Sequence, residues 1–353
     1  MRELVYLDNA ASTRPLKQAV DAFNEALTLF ANPSSGHAFG AEARELLEKS
    51  RNIIAETLNA APDEIVFTSG GTEANALALN GRGHVTASIL EHSSVRENAD
   101  ELLTVRNLIA NPGTGHGTVS CVYVCNENGA VQPIADIARE TRKRGVLFHT
   151  DAVQAYGRID CDVKRLGVDL MSVSAHKIGG IRGAGALYVR NGVKVRPLWR
   201  GGGQERGLRG GTEALPLIAA FAAAARVKQP DTRPLLEYTL ELIREKLPGA
   251  IPVPPYEAPH ILMLALPGCP GQAVVRMLSD MGICVSAGSA CGRGKTSAVL
   301  KALNFKHSDS VIRVSFGGMN TREDVERLIG SLAVVTERFQ KPAAHGKPVT
   351  PYN

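Results

Sequence analysis

The chain has 353 residues, 44% hydrophobic and 21% charged, with 40 basic against 35 acidic side chains for a net charge of +5. Those proportions exclude a disordered or fibrous protein and leave room for one large α/β domain with a smaller companion. The charge is too mild and dispersed for a nucleic-acid partner, and no apolar run reaches the ~20 residues that a bilayer demands.

The N-terminus carries charge where a secretory signal needs an apolar centre, so a cytoplasmic protein without membrane attachment is expected. The six cysteines, at 121, 125, 161, 269, 284 and 291, show no CxxC pair or metal spacing, and neither a disulfide framework nor a metal site is expected.

In chain order, a short apolar run at 4–7 leads into Asp8-Asn-Ala-Ala-Ser-Thr13 and Pro15, a strand or arm entering a turn. Helices are predicted over 16–30 and 41–59, separated by the polar turn at 32–37. At 64–68 a β-rich run breaks at Gly70-Gly71, and Thr72 begins a helix. A strand, two glycines and a helix N-terminus make a phosphate cradle, because unsatisfied N–H groups and the positive end of the helix meet at one place. The same turn serves an ordinary strand-to-helix connection, and both readings stand.

Apolar or β-rich runs recur at 85–90, 119–124, 146–149, 170–174 and 184–189 with helical or loop stretches between most of them. That rhythm predicts an α/β fold with a mostly parallel sheet covered by helices on both faces. Ligands of such sheets bind beyond the carboxyl ends of the strands. His92, Asn126, Asp151, Gln154, Ser174, His176 and Lys177 all fall at those ends.

Lys177 sits where an apolar strand stops before Gly179 and Gly180. A lysine there either is solvated or loses hydration, which frees its amine to form a Schiff base with a carbonyl. Asp151 follows a run apolar enough to be buried, as a helix N-cap or as a paired carboxylate. Together a phosphate cradle, a strand-end lysine and a buried aspartate are the parts that hold pyridoxal 5'-phosphate (PLP): aldehyde to Lys177, ring nitrogen to Asp151, phosphate to the helix N-terminus. His92 is then a candidate to stack on the ring or to move protons.

The Arg- and Gly-dense stretch 190–212 reads as an exposed loop or as a segment packed beside an anion, even across a subunit boundary. Helices are predicted over 215–227 and 235–247, and the proline-rich 248–259 marks a domain boundary. The expected division is a large domain of 16–247 and a smaller α+β domain of 1–15 with 248–353, its tail 341–353 mobile. A strand at 261–266, a helix at 272–281 and a strand holding Cys284 precede Cys291, which lies on a loop near Arg293 and Lys295, the setting of a reactive thiolate. Arg313 is the one charge in the predicted strand 311–316, and its fork suits a substrate carboxylate. A last helix is predicted over 322–339.

Tyr6-Leu-Asp-Asn-Ala-Ala-Ser-Thr13, Asn32-Pro-Ser34, Phe67-Thr-Ser-Gly-Gly-Thr-Glu73, Glu91-His92, Asn126-Glu127, Asp151-Ala-Val-Gln154, Ser174-Ala-His-Lys177, Arg209-Gly-Gly-Thr212, Ser289-Ala-Cys291 and Ile312-Arg-Val-Ser315 span nearly the whole chain. The set resembles the cysteine desulfurases of the NifS and IscS type, in the class V aminotransferase group of PLP fold type I. The resemblance implies that Lys177 carries PLP, Asp151 pairs its ring nitrogen, and Gln154 and Asn126 lie near its ring hydroxyl. It implies that His92 stacks on the ring and shuttles protons, and that Gly71, Thr72, Ser174 and His176 hold the phosphate. Thr212 would reach that phosphate from the second subunit of a homodimer. Arg313 and Asn126 would bind L-cysteine, and Cys291 would take its sulfur and pass it to an acceptor protein: an iron-sulfur scaffold, a tRNA thiolation enzyme or a cofactor pathway.

The chain departs from the family pattern in shorter stretches before His92 and between His92 and Asn126, which would remove a strand or helix. It also has Cys125 in place of an Asn and Gly292-Arg-Gly-Lys295 after Cys291. A selenocysteine lyase, another class V aminotransferase-type enzyme, and a non-catalytic partner protein of the same fold are the alternatives.

Overall fold

The computed structural model describes residues 4–113, 117–288 and 297–340. The arm forms β1 (Val5–Tyr6), followed by α1 (Lys17–Leu27) and α2 (Ala38–Leu58). Local chemistry bounds α2: His37 Nδ1 accepts from the Gly40 amide at its start, and Asn59 ends it at φ 54°, a left-handed backbone that Asn tolerates.

The central part runs β2 (Ile65–Thr68), α3 (Gly71–Leu79), β3 (Val85–Ser88), α4 (Ser93–Arg96), β4 (Glu101–Leu103), α5 (Val105–Ala110) and β5 (Thr118–Ser120). It continues through α6 (Ile134–Lys143), β6 (Leu147–Asp151), α7 (Val163–Leu166), β7 (Leu170–Ser174) and β8 (Gly185–Val189). These strands form one seven-stranded sheet in the order β2-β8-β7-β6-β5-β3-β4. Every pair from β7 to β4 is parallel, and β8 alone runs antiparallel to its neighbours β7 and β2. The expected mostly parallel sheet is present.

Residues of β2, β7 and β8 are buried on both faces, which is why they read as continuous apolar runs rather than alternating ones. Phe67, Met171 and Tyr188 face one core, while Val66, Leu170 and Leu187 face a second with Ala74, Leu77 and Ala78 of α3. The shortened stretch 92–126 still carries α4, β4, α5 and β5.

The chain goes on through α8 (Leu215–Ala225), α9 (Arg233–Lys246), β9 (Ile251–Val253), β10 (Ile261–Ala265) and α10 (Gly271–Asp280). β11 (Ile283–Cys284), α11 (Ala298–Ala302), β12 (Val311–Ser315) and α12 (Arg322–Gln340) complete it. β12, β10 and β9 make an antiparallel sheet, and β11 pairs in parallel with β1. Leu7, Leu236, Ile243, Leu264, Phe316 and Leu332 share one further apolar cluster. α9, ahead of the proline-rich stretch, and β10, behind it, therefore pack in the same body. The N-terminal arm joins the two cores: Leu7 is buried in the cluster of β10 and β12, and the chain then crosses to put Ala10 in the core under the large sheet.

Candidate active site

β7 ends in Ser174, and one 3-10 turn, Ala175–Lys177, carries the chain over the sheet edge. The arm lies across that turn. Lys177 Nζ donates to the carbonyls of Ala10 at 2.6 Å and Ala11 at 2.9 Å, and Thr13 Oγ1 donates to the His176 carbonyl at 2.9 Å. His176 Nδ1 stands 3.2 Å from Ser12 Oγ, and burial, then Lys177 and Arg182, pull its pKa down to about 4. The amine is thus held at the strand end, half-buried, and tied to uncharged oxygens.

Asp151 closes β6, two strand widths from β3, and is 5% exposed. Its Oδ1 accepts from the Val153 amide at 3.0 Å and its Oδ2 from Asn75 Nδ2 at 2.7 Å. Asn75 Nδ2 also donates to Ser94 Oγ at 2.9 Å, and that hydroxyl lies 2.8 Å from His92 Nδ1. The Ser94 amide points at the same Nδ1 from 3.2 Å. A backbone N–H can only donate, so Nδ1 is an acceptor and the neutral ring keeps its proton on Nε2. Burial pulls the His92 pKa down against the pull of Asp151, with Lys177 and Arg96 adding to the drop.

Glu91, next in sequence, is 2% exposed. Its Oε1 accepts from the Val122 amide at 2.7 Å, while its Oε2 is buried without a partner. Burial, then the charge of Asp151, raises its pKa to about 8. Glu91 therefore holds its proton more tightly than a free carboxyl.

The helix α3 begins at Gly71, where its first amides have no partner within the helix. A Cβ at Gly71 would meet Val153 Cγ2 at 2.5 Å, so only glycine lets the backbone come this close. Ser174 Oγ is buried there with no hydrogen-bond partner. Ser174 thus lies beside Gly71 at the head of α3, and Thr72 follows in the same helix. Thr212 does not join them within the chain: it is exposed, and its side chain makes no hydrogen bond among the described residues. Its loop is tethered nearby, where Arg209 Nε donates to Glu73 Oε1 at 2.9 Å.

Arg313, in the middle of β12, has a side chain only 1% exposed. Nη1 donates to the Asn126 carbonyl at 2.9 Å, and Nη2 donates to Asp8 Oδ1 at 2.8 Å and Ser286 Oγ at 3.1 Å. Gln154 Nε2 donates to the Ala10 carbonyl at 2.8 Å, and its Oε1 is 3.4 Å from His260 Nε2. Cys291 lies outside the described residues. Burial raises the pKa of all five described cysteines, Cys121, Cys125, Cys161, Cys269 and Cys284, so none is poised as a thiolate.

The sequence profile of the family "Aminotransferase class-V" matches residues 5–102 and 92–328. The chain belongs to the class V aminotransferase family. This class V chain is 36% identical over 379 residues to a "NifS/IcsS protein homolog" of Lactobacillus delbrueckii subsp. bulgaricus, covering 96% of this chain and 98% of that protein. It is 35% identical over 380 residues to the "Putative cysteine desulfurase IscS 1" of Bacillus subtilis, covering 96% of this chain and all of that one. A NifS-like protein from Rickettsia africae superposes with a TM-score of 0.86 at 30% identity, covering 95% of this chain and 100% of that one. Within the family the chain falls among NifS/IscS-type proteins of PLP fold type I.

The residues fit the family's cofactor, PLP. An orphaned Ser174 hydroxyl beside a glycine-shaped helix N-terminus suits a phosphate, a paired Asp151 suits a ring nitrogen, and the Lys177 amine suits an aldehyde. Sequence reasoning missed Asn75, Asp8 and His260. Asn75 left one usable signal, a lone amide among the buried Ala74, Leu77 and Ala78 of α3. Asp8 was legible only as a member of the Tyr6–Thr13 motif, with no partner assigned, and His260 left no signal.

Proposed function

We propose that the chain is a PLP-dependent cysteine desulfurase that converts L-cysteine to L-alanine and passes the sulfur through Cys291 to an acceptor protein. The observation that carries this reading is the convergence of Lys177, Asp151 and His92 at one sheet edge, with Arg313 buried behind the Asn126 carbonyl. PLP would be held by Lys177, Asp151, Gln154 and Asn126 at its ring and by Gly71, Thr72, Ser174 and His176 at its phosphate. Bound there, it supplies an electron sink for the substrate α-carbon.

The remaining steps fall to side chains. Arg313 holds the substrate carboxylate by paired N–H bonds, with Asn126 beside it. His92, protonated on Nε2 and kept neutral by burial, moves a proton at that atom. Cys291 Sγ attacks the substrate sulfur, so an S–S bond forms as the Cβ–S bond breaks. The electron pair stays with carbon, and protonation completes L-alanine. Lys177 and His92 would handle those protons.

The cofactor body is assigned to residues 16–247 and the segment bearing Cys291 to the body of 1–15 and 248–353, with α9 packed on the latter. The reading includes a cytoplasmic homodimer in which Thr212, exposed in this chain, would reach the partner's phosphate site. No helix among the described residues is long and apolar enough to cross a membrane. The test is Cys291→Ser: alanine release from L-cysteine should vanish while the visible absorbance of bound PLP is retained. Continued alanine release by that variant overturns the assignment.

A further inference from the structure

Arg313 has no free edge. Its Nη1 and Nη2 are engaged by the Asn126 carbonyl, Asp8 and Ser286, and its Nε is buried without a partner. With the side chain 1% exposed, an incoming carboxylate can gain parallel N–H bonds only by taking over one already made. The Asn126 oxygen belongs to the backbone. Ser286 is pinned by the bridge in which its amide and carbonyl pair with Arg313 at 3.1 and 2.7 Å. Asp8 differs from both: it is a carboxylate itself, and at 20% exposure it has a route to water.

We propose that Asp8 is an internal carboxylate that occupies Arg313 until the carboxylate of an α-amino-acid substrate exchanges with it, which makes Asp8 a specificity-determining residue. The inference rests on the reading of Arg313 as the substrate-carboxylate site. Its physical basis is charge conservation around a buried cation. A lone guanidinium at 1% exposure is strongly unfavourable, so the site needs an anion in both states. Exchange supplies one throughout, and a neutral amine or alcohol cannot displace Asp8 without leaving Arg313 unpaired. Once displaced, Asp8 keeps Ser286 Oγ as a donor to its Oδ1, now at 2.7 Å, and gains water.

The test is Asp8→Asn in the PLP-loaded protein. The amide keeps an oxygen for Arg313 and Ser286 but removes the competing charge. Titration with L-alanine, followed by visible absorbance, should give a dissociation constant ~5-fold lower than in the parent, with KM for L-cysteine falling more than kcat changes. Unchanged or weaker L-alanine binding overturns the proposal. Ser286→Ala, which loosens the hold on Asp8, should shift binding in the same direction and serves where Asp8→Asn fails to fold; no shift there also overturns it. Arg313→Gln separates the two layers. If it leaves L-alanine binding intact, the Arg313 reading has failed, whatever Asp8 does.

Discussion

Asn75 Nδ2 donates to Asp151 Oδ2 at 2.7 Å and to Ser94 Oγ at 2.9 Å, so one amide on α3 joins the carboxylate of β6 to the hydroxyl that faces His92. Asn75→Ala leaves a buried carboxylate oxygen without its donor. Cofactor affinity should weaken by about 1–3 kcal/mol, read from PLP titration of the apoprotein. Asn75→Asp sets a second carboxylate against Asp151 and should weaken it further.

Lys177→Ala should remove the visible absorbance that survives gel filtration and abolish turnover, since no other described amine stands at the end of β7. Retained turnover at the parent rate would contradict the place given to Lys177.

Glu91 makes stability fall as pH rises. Its folded pKa is about 8 against a free value of 4.5, so between those limits the unfolded chain releases a proton that the folded chain keeps. Glu91→Gln removes that penalty. The variant should gain on the parent in denaturant melts at pH 8, and the gap should close toward pH 4.5.

Buried histidines act in the opposite sense. Burial lowers the pKa of His149 to about 3 and of His176 to about 4, and lowers that of His92 as well. Below about pH 6.5 the unfolded chain takes up protons that the folded chain refuses, so stability should drop steadily down to pH 4. His149 is bonded to Ser120 and Ser172 at 2.9 Å each, inside the sheet. His149→Gln should flatten the acid limb, an outcome that thermal melts across pH 4–7 would read.

Arg51, on α2, and Glu205 form a buried bidentate pair, at 2.8 and 2.7 Å, that ties the Arg- and Gly-dense loop to that helix. Glu205 adopts φ 48°, and its Oε2 also accepts from the Phe67 amide at 2.7 Å. Glu205→Ala leaves the buried Arg51 with only Glu48, at 3.1 Å from its Nε, as a carboxylate partner, and should cost roughly 1–3 kcal/mol in urea unfolding.

Much of the site was legible as a row of strand ends. In a parallel sheet the carboxyl ends lie along one edge, so a run that stops in Asp151 and another that stops before Lys177 must place both there. The glycine pair before α3 was legible for a similar reason, since its backbone geometry is local. Pairings at long range were not. Asp8 lies 305 positions from Arg313, and Asn75 lies 76 from Asp151. Nothing in a linear pattern fixes which polar groups meet once the arm crosses between two cores.

By itself the sequence determined the principal strands and the longer flanking helices in chain order, the residues at the sheet edge and the chemistry those residue types can perform. Periodicity and turn chemistry are properties of neighbours along the chain. The tertiary structure alone decided that Glu91 holds its proton more tightly than a free carboxyl and that Arg313 is already occupied by Asp8. Those states depend on burial and on distances of 2.7 and 2.8 Å between segments remote in sequence. Dielectric surroundings and partners come into being only when the chain has folded.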